Sequence, residues 1–237
     1  MRDGDFEPVR PGDDLLAEGV EPQSRKLCEL CVLVLPVDGA ALAVMTGSGS
    51  REMVYATDSV SQELDELQFT LGEGPCIDAF RDRRPVLEGA MEDGSAQNRW
   101  PGFAREAVEL GVRATFAFPL QAAGVAFGVV ELYRSSEGSL SDAELHTALL
   151  IVTAADHLVL DELSRSTRSV TGLLGAARSG GHPQVHQATG MVAVQLGVPM
   201  QEALARLRAA AYSGDQTIDE VSHDVVSRAR RFSLDKP

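Results

Sequence analysis

The sequence lacks the features that mark secreted, membrane-spanning and catalytic proteins. It has no run of 18 or more apolar residues and no apolar signal core near Met1, so we expect a cytoplasmic protein without a membrane span. It also has no His-Glu-x-x-His motif, no paired Cys-x-x-Cys, and no ordered Ser-His-Asp or Cys-His set. These absences predict a protein that is not an enzyme and that has neither a catalytic residue nor a metal site.

Cysteine is scarce, with three in 237 residues. An odd number of cysteines in a chain without a secretion signal favours reduced thiols. Cys28 and Cys31 have the spacing of a metal or redox pair, but they lie among the apolar residues of a predicted helix. A zinc site would need further ligands that this segment does not offer. We therefore predict that both thiols are buried.

Basic residues are also few, since 21 Lys and Arg stand against 35 Asp and Glu. The segment from Pro183 carries six of each sign, so the net charge of −14 falls on the first 182 residues. An acidic body repels nucleic acid at long range. Any nucleic-acid contact is therefore expected in the neutral C-terminal segment, and it is expected to be weak or regulated because no strong basic patch is present.

The first two thirds of the chain reads as strands in hairpins with helices between them. Such an order predicts an α+β domain with an antiparallel sheet. The predicted elements are a helix from Asp13 or Asp14 to about Leu35, strands at 40–45 and 52–56, helices at 59–67 and 75–81, an edge strand at 85–87, a polar loop at 93–99, a helix from Trp100 to about Gly111, strands at 112–120 and 125–133, and a long helix from about 141 to 177.

The glycines around Glu73 suggest a phosphate-binding loop at first sight. The segment Gly72-Glu73-Gly74 lacks both the Lys-Ser/Thr pair of a P-loop and the third glycine of a dinucleotide motif. We therefore predict a structural turn before the helix that starts at Pro75. Cys76 is either a ligand-pocket or redox residue or a small buried one. Trp100 and Phe103 either line the same pocket or anchor a surface loop to the core.

Three short stretches together resemble the GAF domain. They are Gly72-Glu73-Gly74-Pro75-Cys76, Phe118-Pro119-Leu120 and Gly128-Val129-Val130-Glu131-Leu132-Tyr133. The resemblance covers roughly residues 15–160, after a flexible arm at 1–14. It implies an antiparallel sheet with flanking helices and a pocket that senses a small-molecule ligand or light, or a domain that dimerises. The motifs name no particular cofactor.

The positions of Gly and Pro in the last fifty residues predict three helices between His182 and Phe232. Gly197-Val198-Pro199 and Gly214 separate them, because Gly is common after a helix and Pro at its start. Thr217 and Glu220 have the spacing of a capping box. Each helix has one apolar stripe, which predicts a small bundle. The stripes are Val185, Ala188, Val192 and Leu196; Met200, Ala203, Leu204, Leu207 and Ala211; and Ile218, Val221, Val225, Ala229 and Phe232.

The outward faces of these helices carry the candidate binding residues. Helical spacing places Gln187 and Gly190 outward on the first helix and Tyr212 outward on the second. Gly in mid-helix costs about 1 kcal/mol relative to Ala, and close approach of a partner would explain it. Arg230 and Arg231 are expected to project outward from the third helix. An exposed ring with arginines suits RNA, although three-helix bundles are common and one exposed Tyr with a few Arg is ordinary.

The same segment resembles the ANTAR domain, a helical RNA-binding module of bacterial regulators. The resemblance rests on His186 to Val192, Ala203 to Tyr212 and Ile218 to Val226, while Thr189 and Ser222 stand where Lys and Ala are usual. It implies binding to RNA stem-loops and transcription antitermination. The candidate RNA contacts are Gln187, Gly190, Arg208, Tyr212, Arg230 and Arg231. Arg208 flanks the apolar stripe, so it is alternatively a residue between helices, and the tail alternatively binds a protein.

The long helix before the tail has an apolar spacing close to a heptad repeat. Leu145, Leu149, Val152, Val159 and Leu163 follow this spacing, with Asp156 as a polar interruption. We therefore expect a parallel homodimer in which this helix couples sensor to effector. The predicted organisation is a GAF-like α+β domain at 15–160, a helical linker at 161–181 and an ANTAR-like three-helix bundle at 182–237.

Overall fold

The computed structural model describes residues 21–45, 51–122, 124–165, 182–214 and 216–233. The predicted arm at 1–14, the predicted helix start near Asp13 and most of the linker at 161–181 lie outside these ranges. Among the described helices, none combines the length and the apolar composition that a membrane span requires.

An α+β domain occupies the N-terminal part of the chain. Its elements are α1 (Glu21–Val34), β1 (Gly39–Met45), β2 (Arg51–Ala56), α2 (Ser59–Leu71), α3 (Pro75–Asp82), β3 (Val86–Glu88), α4 (Gly94–Arg99), α5 (Pro101–Glu109), β4 (Ala114–Ala122), β5 (Val125–Arg134) and α6 (Asp142–Arg165). The predicted helix at Pro75 and the strand positions are confirmed. Helix α2 extends one turn further than expected, to Gly72, whose φ of +71° ends it in a left-handed cap.

The five strands form one antiparallel sheet in the order β2-β1-β5-β4-β3. The predicted hairpins β1–β2 and β4–β5 are both present, and β1 joins them by pairing with β5. Strand β3 lies at an edge, as its short length and its preceding proline predict. The longest ladder, between β4 and β5, pairs Ala117 with Glu131 and so fixes which side chains of β5 face each layer of helices.

Helices cover both faces of the sheet. On one face, α1 and α6 pack on Phe116, Phe118 and Leu132. Cys28 and Cys31 lie in this layer at 0% and 1% exposure, so the predicted burial of these thiols is confirmed, and burial raises the pKa of Cys31 to about 12. On the other face, α2, α3, α4 and α5 pack on alternate strand residues such as Ala117 and Val129.

The predicted polar loop at 93–99 is wrong, because residues Gly94–Arg99 form helix α4. The helix is too short for an apolar period to be visible in its sequence. It is held in place by one buried side chain, Ala96, and by the backbone hydrogen bond from Trp100 N to Ala96 O. Tertiary packing thus decides this segment where its polar composition favours a loop.

Three helices at the C-terminal end form a bundle around one apolar cluster. They are α7 (Pro183–Leu196), α8 (Met200–Ser213) and α9 (Ile218–Val226). Gly197 caps α7 with a φ of +66°. The predicted capping box is present, since Thr217 Oγ1 accepts from Glu220 N and Glu220 Oε2 accepts from Thr217 N.

The third helix is shorter than its apolar stripe predicted. It ends at Val226, because Arg228 adopts a left-handed conformation with φ +66°. Phe232 still packs on the bundle cluster from the segment after the helix, and its N–H donates to Gln195 Oε1 at 2.9 Å. The expectation that Arg230 and Arg231 project from a helix is therefore wrong.

Candidate functional site

Helix α2 lies between the sheet and the C-terminal bundle, and its two faces contact different partners. Asp65 and Gln68 point to the sheet side and are buried there. Phe69 belongs to the apolar cluster of the bundle, at 2% exposure. Adjacent residues on a helix differ in direction by about 100°, so Gln68 and the following Phe69 face different neighbours. The candidate functional site is therefore organised around α2.

Beneath α2, a buried arginine is paired with a carboxylate. The Nε of Arg51 donates to Oδ1 of Asp65 at 2.8 Å, and both side chains are almost fully buried. The charge of Asp65 offsets the burial of the guanidinium and raises the pKa of Arg51. A buried charge is tolerated when it is paired in this way.

Gln68 connects this pair to the sheet and to the next turn. Its Nε2 donates to Oε2 of Glu131 at 2.8 Å, and its Oε1 accepts from the backbone N of Cys76 at 2.7 Å. The predicted structural turn at Gly72-Glu73-Gly74 is confirmed, and Glu73 Oε1 accepts from the backbone N of Gly102 and of Phe103. The turn thus links the start of α3 to the start of α5.

Glu131 is the titratable group of this network that responds near neutral pH. Burial raises its pKa to about 7, while the charge of Arg51 acts in the opposite direction. Its Oε1 and the Nη1 of Arg51 are buried and have no hydrogen-bond partner among the described residues. A carboxyl group at this pKa gains or loses a proton in the physiological range.

The three residues predicted for a sensor pocket are all in the core. Cys76, Trp100 and Phe103 are 1%, 1% and 0% exposed and belong to the cluster between the sheet and α2–α5. Trp100 Nε1 donates to Asp78 Oδ2 at 3.0 Å, and its ring meets Phe103 edge-on. Burial raises the pKa of Cys76 well above that of a free thiol, which disfavours a reactive thiolate.

The outward face of the bundle presents three of the predicted RNA contacts. Gln187 is exposed, and Tyr212 is 75% exposed at the end of α8. Gly190 lies mid-helix in α7, and a Cβ placed there would meet no atom within 4 Å. Internal packing therefore does not require glycine at this position.

Arg230 and Arg231 lie beside an open groove of about 280 Å³. The groove runs between the end of α8 and the segment after α9, and Phe232 forms part of it. Arg231 is exposed, whereas Arg230 is half-buried and donates from Nη2 to Gln216 Oε1 at 3.1 Å. The groove and the Tyr212 ring thus both belong to the terminal turn of α8.

The structure places Arg208 of α8 against α2. Its Nε donates to the backbone oxygen of Phe69 at 2.9 Å, and its Cζ lies 5.6 Å from the centre of the Phe69 ring. Burial, and then the charge of Arg51, lower the pKa of Arg208 to about 10. Arg208 thus lies between two helices, as the alternative considered above expects, and the second helix is α2 of the other domain.

His182 completes this contact between the domains. Its ring stacks on Phe69 with centroids 4.1 Å apart. Its Nε2 lies 3.2 Å from Glu66 of α2, and its Nδ1 lies 3.0 Å from Asp219 of α9. Burial lowers the pKa of His182, but the hydrogen bonds and charges of Asp219 and Glu66 outweigh it and raise the value to about 9.

The ligand atoms of Glu66, His182 and Asp219 lie within 4.8 Å of one another, which is close enough to hold a metal ion. However, each ring nitrogen faces a different carboxylate. One ion bound to one nitrogen would leave the other carboxylate on the far side of the ring. The arrangement fits a protonated imidazolium that bridges two carboxylates.

Sequence reasoning missed Phe69 and His182 as partners in an interface. Phe69 is the only aromatic side chain of α2, and it follows Gln68, which faces the opposite way. An apolar residue on the outer face of a helix that already covers a sheet is the signal that could have indicated a second packing partner.

Comparisons with known proteins agree with this fold. A sequence profile of the GAF domain matches residues 20–159, which is more than half of the chain. Among curated proteins, none matches. A domain from a Sinorhizobium meliloti protein described as a two-component sensor histidine kinase superposes with a TM-score of 0.53 at 18% identity, covering 64% of this chain and 97% of that one.

A second similar structure is the GAF3 domain of a Synechocystis protein in its photoproduct state, with a TM-score of 0.50 at 14% identity. It covers 62% of this chain and 99% of that one. Both likenesses concern the fold alone, and both agree with the profile match and with the five-stranded antiparallel sheet. The chain therefore belongs to the GAF domain family.

Proposed function

We propose that this protein is a non-catalytic regulator whose GAF domain senses a small-molecule signal and whose C-terminal bundle binds stem-loop RNA, thereby promoting transcription antitermination. The proposal joins the GAF membership to the ANTAR resemblance of the tail. The single observation that carries it is Tyr212, an aromatic ring that is 75% exposed on the outward face of α8. A ring exposed in this way offers a surface on which an unpaired base can stack.

The chemistry of the outward face suits an unpaired base next to a phosphate. A base can stack on the Tyr212 ring, and the exposed Arg231 guanidinium can bind a phosphate oxygen beside the groove. Gln187 offers an amide that both donates and accepts hydrogen bonds. Gly190 leaves room for a backbone to approach α7 closely.

Two copies of the chain would strengthen binding from a neutral bundle. Leu33 of α1 is 81% exposed, and Leu149 and Leu150 of α6 are 39% and 59% exposed. Both helices cover the same face of the sheet, so these leucines favour pairing with a second copy along α1 and α6. Two linked bundles that bind two stem-loops gain affinity without further contacts.

Salt dependence of binding tests the proposed function. Wild-type protein is titrated with a twin stem-loop RNA at several salt concentrations, and Arg231→Ala is compared with Arg105→Ala on the exposed surface of α5. Arg231→Ala is expected to weaken binding and to reduce the slope of log affinity against log salt by about 1. Arg105→Ala is expected to change neither quantity. Equal slopes for wild type and Arg231→Ala would contradict the phosphate contact.

A protein partner for the bundle is the second candidate function. Val194 is 84% exposed one turn after Gly190, and Met200 is 48% exposed at the start of α8, so apolar side chains also face outward on the bundle. Apolar docking depends little on salt, unlike phosphate binding. Binding to a protein from the same cell that persists across the salt range, together with no measurable affinity for RNA, would favour this candidate.

A further inference from the structure

The contact between α2 and the bundle engages Arg208, one of the candidate RNA contacts. Arg208 is held by the Phe69 backbone, and its Nη1 would lie 2.8 Å from a Cβ at Gly72. A side chain larger than hydrogen at Gly72 would therefore collide with the guanidinium. In this arrangement Arg208 is engaged with α2, although it is on the same face of α8 as Tyr212, one helical turn away.

The contact is costly for Arg208 itself. The Arg208 side chain is half-buried, and among the residues that the structure describes no carboxylate forms an ion pair with it. Burial and the charge of Arg51 on the far side of α2 lower its pKa to about 10, which means that the guanidinium stays charged at neutral pH but is less stable there than in water. A phosphate would satisfy this guanidinium better than one backbone oxygen does.

What offsets this cost is the neighbouring His182 bridge. The imidazole binds Glu66 of α2 through Nε2 and Asp219 of α9 through Nδ1, and it stacks on Phe69. Phe69 fills the bundle cluster from outside the bundle. A contact that contains one favourable bridge and one unfavourable buried cation is suited to reversible opening.

We propose that His182, bridging Glu66 and Asp219, is the latch that docks the bundle on α2 and thereby keeps Arg208 from RNA, an inference that rests on the proposed RNA-binding function. Opening the latch releases Arg208 to the face that carries Tyr212. Because α2 also carries Asp65 and Gln68 of the buried network, a change in the sensor core that moves α2 alters the same contact.

Docking is tested first, by a measurement that does not involve RNA. Spin labels are attached at Arg105→Cys and Val194→Cys, both exposed, while the native cysteines are buried. His182→Gln and the milder Glu66→Gln are expected to broaden the distance distribution between the labels. His146→Gln, an exposed histidine on α6, is the matched control and is expected to leave the distribution unchanged. An unchanged distribution in both latch variants would overturn the proposal.

RNA affinity is then measured on the full chain without labels. If docking hides the binding-competent form, the apparent Kd exceeds the intrinsic value by the reciprocal of the open fraction. We expect His182→Gln and Glu66→Gln to lower the Kd for a twin stem-loop RNA by roughly threefold or more. Adding Arg208→Ala to His182→Gln is expected to remove this gain.

The RNA titrations distinguish a failure of the proposed latch from a failure of the proposed RNA-binding function. RNA binding by every variant with the same Kd would overturn the latch and leave the proposed function standing. A lower Kd in His182→Gln that persists after Arg208→Ala would overturn the role of Arg208. No RNA binding by any variant, including those with broadened distances, would overturn both the latch and the proposed function.

Discussion

At the scale of single residues, the arginines show how far position along a helix predicts a role. Tyr212, Gln187 and Gly190 face outward as their helical spacing predicts. Arg208 is one turn from Tyr212, yet it packs against Phe69, a residue 139 positions away in sequence. Helical periodicity describes which face a side chain occupies, but it contains no information about which other domain covers that face.

Replacing Gly190 is expected to raise the stability of the bundle and to lower its affinity for RNA. Gly190→Ala is expected to stabilise the bundle by about 1 kcal/mol, because Ala has the higher helix propensity and the added methyl meets open space. The same change is expected to weaken RNA binding, because the methyl occupies the space used by the RNA backbone. Thermal unfolding and RNA titration measure the two effects.

The matched control for this prediction is Gly197→Ala. Gly197 has a φ of +66°, so Ala is expected to destabilise the bundle by about 1–2 kcal/mol. Unchanged RNA affinity in a stabilised Gly190→Ala variant would contradict close approach of RNA at α7.

The raised pKa of Glu131 predicts that the free energy of unfolding depends on pH. Its pKa rises from 4.5 to about 7 on folding, so the unfolded chain loses this proton at lower pH than the folded protein does. The contribution of Glu131 is fully present below pH 4.5 and is lost as the pH rises through 7. We expect Glu131→Gln to gain stability relative to wild type across this window and to hold a constant difference above it.

Denaturant unfolding at a series of pH values measures this difference. Glu109→Gln, which removes a carboxylate from the exposed pair with Arg105, is the control and is expected to run parallel to wild type. A difference between Glu131→Gln and wild type that does not change between pH 4.5 and 7 would show that Glu131 titrates normally.

At the scale of elements, helices and strands that are bounded by Gly or Pro can be predicted from the sequence. Short segments that depend on a tertiary contact cannot. The hairpin β4–β5 follows from two apolar runs around Gly124, and α3 follows from Pro75 after a glycine turn. Helix α4 could not be predicted because one buried alanine holds it. The end of α9 could not be predicted either, since Phe232 keeps the helical spacing although the chain turns at Arg228.

Helix α9 gives the prediction at this scale, because nine residues are few for a helix and its capping box matters accordingly. Thr217→Ala removes the side-chain acceptor of Glu220 N and is expected to cost about 1 kcal/mol. Hydrogen exchange within Ile218–Val226 is expected to become faster, while exchange in α7 changes less.

Thr147→Ala is the control for this cap, since that hydroxyl donates to the Ala143 carbonyl within α6 and caps no helix end. We expect its effect to stay within about 0.5 kcal/mol. Equal exchange rates for α9 in wild type and Thr217→Ala would mean that tertiary packing alone fixes the helix.

At the scale of the whole molecule, α2 of the GAF domain contacts both the sheet and the bundle. The sequence predicts two domains and a linker between them, each domain from its own pattern. Their contact is not recognisable, because it depends on Phe69 and His182 meeting across 113 residues. Coupling through one shared helix also gives a physical route from the buried network of Glu131 to the face that carries Arg208.

The His182 bridge predicts how docking of the two domains depends on pH. The pKa of His182 rises from 6.5 to about 9 in the docked state, so its contribution is complete below pH 6.5 and is lost as the pH rises through 9. The facing groups are Glu66, Asp219 and His186, and burial and the charge of His182 lower the pKa of His186. His186 therefore titrates below this window.

Label distances in the doubly labelled chain follow this transition. The distribution is expected to broaden between pH 6.5 and about 9 in wild type and to be broad throughout in His182→Gln. A wild-type distribution that stays narrow to pH 10 would mean that Phe69 and Arg208 hold the domains together without the imidazolium.

The most direct test of the proposed function is the affinity of Tyr212 variants for a twin stem-loop RNA at fixed salt. Stacking needs the ring and not the hydroxyl, so Tyr212→Phe is expected to bind within about twofold of wild type, whereas Tyr212→Ala loses about 1–3 kcal/mol of binding free energy. The exposed position of Tyr212 leaves the fold intact in both variants. Equal affinity of Tyr212→Ala and wild type would contradict RNA binding by this face of the bundle.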